Sequence, residues 1–209
     1  SSDFTLEFRQ MFYVWNGCDA IIRNIQLIGG GIVEPERNNN GSYAVENVGT
    51  LLLDNVTVTR SNGAVMNQGS AKLFVDNCRL VRNCRFCAGG IFNYGFAVLN
   101  RSSMSENRSL ATGGGGGATE NGSMMYINNC VICNNSSTEI GGAINNFHSG
   151  NPVALYMMNT TVAGNFSAAG SWDNGGGVGL RSYVWAVFCS VNNLFCNNYQ
   201  IQLKNDGPS

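Results

Sequence analysis

Charge is the scarcest commodity in this chain. Only 12% of the 209 residues are charged, against about 25% in an average globular domain. Just two are Lys, and the formal net charge is −1, so the chain has no overall electrostatic footprint for nucleic acid or an acidic membrane surface. There is a single His, His148, which leaves little material for a catalytic triad or a His-based metal centre. Proline occurs three times. No apolar run approaches the roughly 18 residues that a membrane-spanning helix needs, and helical periodicity is missing throughout.

What is abundant is Gly and Asn, 27 and 30 residues respectively, in a chain that is 44% hydrophobic. Disordered chains combine low hydrophobicity with high net charge, and this one does not. Many tight turns between short apolar strands are expected instead. Eight Cys, an even number, suit an oxidising compartment. The chain opens Ser-Ser-Asp, as a processed mature N-terminus would. Asn-x-Ser/Thr occurs nine times, at Asn40, Asn55, Asn100, Asn107, Asn121, Asn134, Asn135, Asn159 and Asn165. From the 30 Asn and 27 Ser plus Thr in 209 positions, chance gives about four. The excess points to a secreted, N-glycosylated, cell-surface or extracellular protein.

Two motifs recur. One is Gly141-Gly142-Ala143-Ile144-Asn145-Asn146, with counterparts at Gly63–Asn67, Gly89–Asn93, Gly116–Glu120 and Gly176–Leu180. The other has an apolar residue two before a central Asn, as in Leu53-Asp54-Asn55-Val56-Thr57-Val58 and Ile127-Asn128-Asn129-Cys130-Val131-Ile132, and usually an Asn three past its last apolar residue, at Asn83, Asn107, Asn135, Asn165 and Asn197. The centres fall at positions 24, 55, 77, 101, 129, 159 and 191. A period of roughly 20–30 residues with β-branched alternation and Gly pairs indicates a β-solenoid. The expected fold is all-β, a right-handed single-stranded parallel β-helix of about six to seven coils. It forms one domain over 1–209, with an N-terminal strand segment at 1–19, repeats over 20–197, and a C-terminal strand and tail at 198–209.

Stacking of such coils aligns equivalent residues into columns. Asn24, Asn55, Asn77, Asn129 and Asn159 are expected to form an inward amide ladder, interrupted at Arg101 and Val191. The column Leu27, Val58, Leu80, Met104, Ile132, Val162, Leu194 faces the core, and Gln26, Thr57, Arg79, Ser103, Val131 and Thr161 face out. Cys78 and Cys130 share an inward column with Ser102 between them. Two coils, about 9.6 Å, exceed disulfide reach, so both read as small buried hydrophobes. Cys84 and Cys87 form a Cys-x-x-Cys whose pairing the spacing leaves open, as it does for Cys18, Cys133, Cys189 and Cys196.

The Gly-Gly-Ala-Ile stretch at Gly141–Ile144, together with Leu80-x-x-Asn83, Met104-x-x-Asn107, Ile132-x-x-Asn135, Val162-x-x-Asn165 and Leu194-x-x-Asn197, resembles the repeats of chlamydial polymorphic outer membrane proteins and related β-helix adhesins. The resemblance covers roughly residues 20–197. It implies a passenger-like surface module for display, adhesion or assembly.

Candidate sites are few, and no catalytic residue or cofactor emerges beyond N-linked glycans. Asp54 and Asp76 occupy one outward column in adjacent coils, continued by Asn100 and Asn128, and are a weak Ca²⁺ candidate; no other metal site is expected. Arg82 and Glu106 should pair across an exposed column that also holds Arg60. Asn55 and Asn159, placed inward, should carry no glycan, whereas Asn40, Asn107, Asn121, Asn134, Asn135 and Asn165 should. Both termini read as strands, so end-to-end self-association into a filament is expected, with a glycan or cell-surface molecule as a possible ligand, no nucleic acid and no membrane span. The rival expectation is a polysaccharide-active enzyme of the pectin-lyase-like class, working through Asp54, Asp76, Arg79 and Arg82.

Overall fold

The structure is a computed structural model that describes residues 10–29, 42–110, 115–138, 141–147, 152–168, 178–182, 186–198 and 201–205. Asn40, His148, the charged loop before Gly41 and part of the five-Gly run lie outside the described residues. Every element within them is a strand, and every neighbouring pair runs parallel.

The strands form four sheets. Sheet A holds Phe12–Val14, Val45–Asn47, Val65–Asn67, Ile91–Asn93, Thr119–Asn121, Ile144–Asn146, Val178–Ser182 and Ile201–Asn205. Sheet B holds Asp19–Arg23, Thr50–Asp54, Lys72–Asp76, Phe96–Asn100, Met124–Asn128, Val153–Met158 and Ala186–Val191. Sheet C holds Gln26–Ile28, Thr57–Thr59, Arg79–Val81, Ser103–Ser105, Val131–Cys133, Thr161–Ala163 and Leu194–Cys196. Sheet D is made of the two-residue strands Cys84–Arg85, Arg108–Ser109, Ser136–Ser137 and Phe166–Ser167. The chain visits A, then B, then C, then where present D, before returning to A. Seven such passes follow one another, each strand pairing with its counterpart in the pass before and after.

Alternation decides which side chains enter the core. Leu51 and Leu53 of sheet B are fully buried and Leu52 is not, as a two-residue period requires. The alternation is reset at the corners. Asn55 adopts φ 54°, a left-handed conformation that Asn tolerates better than most residues. Asp54 and Asn55 therefore both lie towards solvent, and Val56 and Val58 are buried. A second left-handed corner follows sheet C, at Arg60, Arg82, Glu106, Asn134 and Asn197. One apolar cluster of Leu, Val, Ile, Met and Ala fills the interior from Val14 to Val162. Cys78 and Cys130 are buried in it, with Ser102 between, as small core residues.

The Gly pairs answer to crowding more than to bending. At Gly117 an added Cβ would lie 2.1 Å from the carbonyl oxygen of Gly142 and 2.7 Å from the backbone of Ser136. At Gly90 it would lie 2.3 Å from the oxygen of Ala118. Neighbouring passes approach so closely here that only hydrogen fits. Gly117→Ala should lower the unfolding free energy by about 2–3 kcal/mol, whereas Gly69→Ala, with nothing within 4 Å, should leave it near the wild-type value. Urea unfolding followed by circular dichroism checks both, and equal midpoints would contradict the close approach.

Candidate functional site

Three columns of polar side chains run along the interior corners. At the corner from A to B stand Asn47, Asn67, Asn93, Asn121 and Asn146, all fully buried. Each Nδ2 donates to the Oδ1 of the Asn in the next pass, at 2.8, 2.8, 2.7 and 2.8 Å. After sheet C stand Asn83, Asn107, Asn135, Asn165 and Asn198. Here each Oδ1 accepts the backbone N–H of the preceding column member, and each Nδ2 donates to a carbonyl of the pass before, such as Val58, Leu80 and Met104. Between B and C, Cys78, Ser102, Thr160 and Asn193 supply side-chain acceptors to the backbone N–H groups of Val56, Cys78, Cys130 and Thr160. These N–H groups sit where the corner interrupts the strand ladder, so each would otherwise be a buried donor without a partner.

The inward ladder therefore differs from the expected one. Asn24, Asn55, Asn77, Asn129 and Asn159 are all exposed at left-handed corners. Where they bond one another they do so on the surface, as Asn55 to Asn24 at 2.9 Å and Asn192 to Asn159 at 2.7 Å. Asn192, not Val191, continues that column, and Asn198, not Asn197, closes the buried one. Phe195 correspondingly takes the core register that Leu194 was expected to hold.

The sequons reverse with the columns. Asn107, Asn121, Asn135 and Asn165 are at most 1% exposed, with their amide nitrogens engaged inside the wall, so the fold leaves no room for a glycan on them. Asn134 is exposed, and so are Asn55 and Asn159, which had been expected to be closed. In material secreted from a eukaryotic host, glycopeptide mapping should find glycans at Asn55, Asn134 or Asn159 and none at the four buried positions. A glycan on Asn107, Asn121, Asn135 or Asn165 in folded protein would contradict the ladder.

On the outer face of sheet B, Asp54 and Asp76 do stack in adjacent passes. Each carboxylate is already occupied. Arg23 Nε donates to Asp54 at 2.8 Å; Arg101 pairs with Asp76, which Asn100 also reaches at 3.1 Å. The positive charge that a Ca²⁺ would bring is thus supplied by two guanidinium groups, and the pair is not poised to ligate a cation. Among the described residues no group of three His, Cys, Asp or Glu is arranged to hold a metal. Arg82 and Glu106 pair as expected, at 2.8 Å. On the same face of sheet B, Phe74, Phe96, Tyr126 and Tyr156 run along the stack. Tyr126 and Tyr156 are nearly parallel with centroids 4.8 Å apart, so those rings cover one another's faces and present edges outward.

Sequence patterning missed a second cluster entirely. The outer face of sheet A aligns Glu46, Met66, Phe92, Glu120 and Asn145, positions that alternation assigns to solvent. Instead Phe92, Glu120 and Asn145 are buried at 8%, 8% and 1% exposure. Tyr43, Cys87, Ala88, Phe92 and Tyr94 pack into a satellite cluster there. Tyr43 stacks on Phe92 with centroids 6.2 Å apart, and the Arg85 guanidinium lies 4.0 Å above the Tyr43 ring. Among the described residues Glu120 Oε2 and Asn145 Oδ1 have no hydrogen-bond partner. Burial pushes the Glu120 carboxyl up to about 7 and raises the Tyr43 phenol well above its ordinary value. Burial, reinforced by the Glu120 charge, also raises the Cys87 thiol. Cys84 and Cys87 are not bonded to each other, and all eight Cys are free thiols.

No known family, curated protein or solved structure matches this chain. The resemblance to the chlamydial repeats rests on the motifs alone, while the all-strand parallel architecture is compatible with such a solenoid. No helix among the described residues is long and apolar enough to cross a membrane.

Proposed function

We propose that the chain winds as a right-handed, single-stranded parallel β-helix and acts as an extracellular structural or adhesin-type solenoid that stacks end to end. The cyclic order of the sheets supports the winding, and parallel crossover connections are right-handed in about 98% of cases. Exposed sequons at Asn55, Asn134 and Asn159 support a glycosylated surface. The observation that carries the assembly reading is the state of the core at its two ends. Met11 and Ala20 in the first pass, and Phe188 and Phe195 in the last, pack against the core yet remain only partly buried. Interior passes bury the equivalent positions fully, as at Leu51, Leu73 and Val162. Another pass laid on either end would bury these side chains and extend the parallel ladders.

A second copy supplies such a pass. The protein should form concentration-dependent oligomers or fibres by light scattering and negative-stain imaging. Phe195→Glu should return it to the monomer without unfolding it. A compact monomer over the whole accessible concentration range would dispose of the reading.

A further inference from the structure

We propose that the wall formed by sheets C and D in the second to fourth passes binds a sulfated polysaccharide. The proposal deepens the adhesin-type part of the preceding reading, and it is independent of end-to-end stacking.

A net charge of −1 hides an uneven distribution. The chain has ten Arg, and four of them, Arg60, Arg79, Arg82 and Arg108, lie exposed on this one wall. Arg60 and Arg82 are corner residues of successive passes. Arg79 opens the sheet C strand of the third pass, and Arg108 pairs with Cys84 across sheet D. Successive passes are about 4.8 Å apart, so the guanidinium groups form a dense, short array. The acid among them is Glu106, which is taken by Arg82. Arg23 at the end of a sheet B strand and Arg101 at the corner after one are matched by Asp54 and Asp76; Arg60, Arg79 and Arg108 have no acidic partner among the described residues.

The backbone says that this charge is not incidental. Among the described residues twelve non-Gly positions adopt left-handed φ, and eight of them are Asn. The other four are Arg60, Arg82, Arg101 and Glu106. A long side chain gains nothing from this conformation, which costs an ordinary residue roughly 1–2 kcal/mol. Arg101, Arg82 and Glu106 each recover an ion pair. Arg60 (φ 55°) recovers none, although Asn would sit there more comfortably. A strained, exposed, unpaired cation at the edge of a cationic array is what a charged ligand would account for.

The chemistry of the wall selects the ligand. Arg presents a planar fork that matches sulfate and carboxylate oxygens in bidentate fashion. Between the cations lie the hydroxyls of Thr57, Ser103 and Ser105, partly exposed on the outer side of sheet C, which suit sugar hydroxyls. The array follows the corner between sheets C and D from pass to pass, so it fits an extended chain lying along that edge. A sulfated chain offers more anionic groups per sugar than a polyuronate, which suits three unpaired Arg gathered within three successive passes. Among the described residues of these passes one exposed ring, Phe86, accompanies these Arg, fewer than the series of stacking rings on which single-stranded nucleic acid depends.

The test is binding of the full chain to heparin, by affinity chromatography and calorimetry, with polygalacturonate and a charge-matched single-stranded DNA as competitors. Wild type should be retained on heparin at physiological salt. The triple variant Arg60→Asn, Arg79→Gln, Arg108→Gln should bind at least roughly tenfold more weakly, with a shallower salt dependence. Arg60→Asn alone should weaken binding about threefold while leaving the melting temperature unchanged or higher, because Asn suits the corner. That combination separates a lost contact from a damaged fold. No retention, an unchanged affinity in the triple variant, or tighter binding of polygalacturonate or DNA would overturn the proposal. Repeating the measurement on the Phe195→Glu variant keeps failure of binding distinct from failure of assembly.

Discussion

Asn135→Leu is expected to lower the unfolding free energy by about 4–5 kcal/mol, among the largest effects of any single side chain in the molecule. The substitution nearly preserves volume and adds apolar surface to a site that is 1% exposed, so packing alone predicts little change. The polar accounting predicts a large one. Asn135 Nδ2 donates to the carbonyls of Met104 and Cys133 and to Asn165 Oδ1, at 3.0, 3.1 and 2.9 Å. Its Oδ1 accepts the backbone N–H and the Nδ2 of Asn107, at 2.9 and 3.0 Å. Leu removes all five bonds and strands the Asn107 N–H and the Met104 carbonyl between passes, away from water. At about 1 kcal/mol net per bond, the total is several kcal/mol. Asn55→Gly, at an exposed left-handed corner, should change stability by less than about 1 kcal/mol, because Gly accepts that conformation freely. Equilibrium urea unfolding of the two variants decides the matter. A near-neutral Asn135→Leu beside a costly Asn55→Gly would mean that the inward and outward columns are exchanged.

Stability should fall as the pH rises towards 7, and Glu120 should be the main reason. Burial holds its folded-state carboxyl near 7, against 4.5 for the unfolded chain. Below pH 4.5 the group is protonated in both states and no penalty applies. Between 4.5 and 7 the unfolded chain releases the proton and the folded protein keeps it, so the unfolded state gains. Above 7 the loss is complete, at about 3 kcal/mol. The groups around it are Phe92, Asn145, the phenols of Tyr43 and Tyr94, and the Cys87 thiol, with the Arg85 guanidinium over Tyr43. Among them Oε2 finds no donor. Glu120→Gln should gain about 3 kcal/mol over wild type at pH 8 and show no difference at pH 4. Thermal melts of both proteins across that range check it. A constant gap between the two curves would mean that Glu120 titrates as an exposed acid.

Much of this architecture is legible in the sequence, and the failures have particular causes. The apolar column Leu27, Val58, Leu80, Met104, Ile132, Val162 reads correctly because sheet C strands keep a strict two-residue alternation between corners. Asp54 over Asp76, Arg82 beside Glu106, and the burial of Cys78 and Cys130 follow from the same register. Asn55 was misplaced because alternation carried across a left-handed residue returns the wrong parity: Leu53 faces in, and two residues on should face in again, but the corner turns the chain. The same corner hides the one-residue slip at Asn192. The buried Asn of Ile132-x-x-Asn135 and of Ile91-x-Asn93 were in view as repeating letters, yet turn residues and ladder residues share one amino acid, and only the backbone angle separates them. Glu120 was illegible for another reason. Its strand gives it an outward position, and the Tyr43 and Cys87 segments that cover it come from other passes.

The spacing of the buried columns sets a kind of reading frame. In the second to seventh passes, the residue opening the register of sheet B (Thr50, Lys72, Phe96, Met124, Ala154, Val187) lies eleven places before the buried polar residue that follows sheet C (Ser61, Asn83, Asn107, Asn135, Asn165, Asn198). All variation in pass length falls outside that eleven-residue stretch. A codon gained or lost within it throws two columns out of step with both neighbours. A codon gained between Thr138 and Gly141, past the paired strand Ser136–Ser137, or between Phe147 and Val153, displaces none. The molecule thus carries two splice points per turn at which foreign sequence can be carried at little cost, and a stretch between them where almost none can.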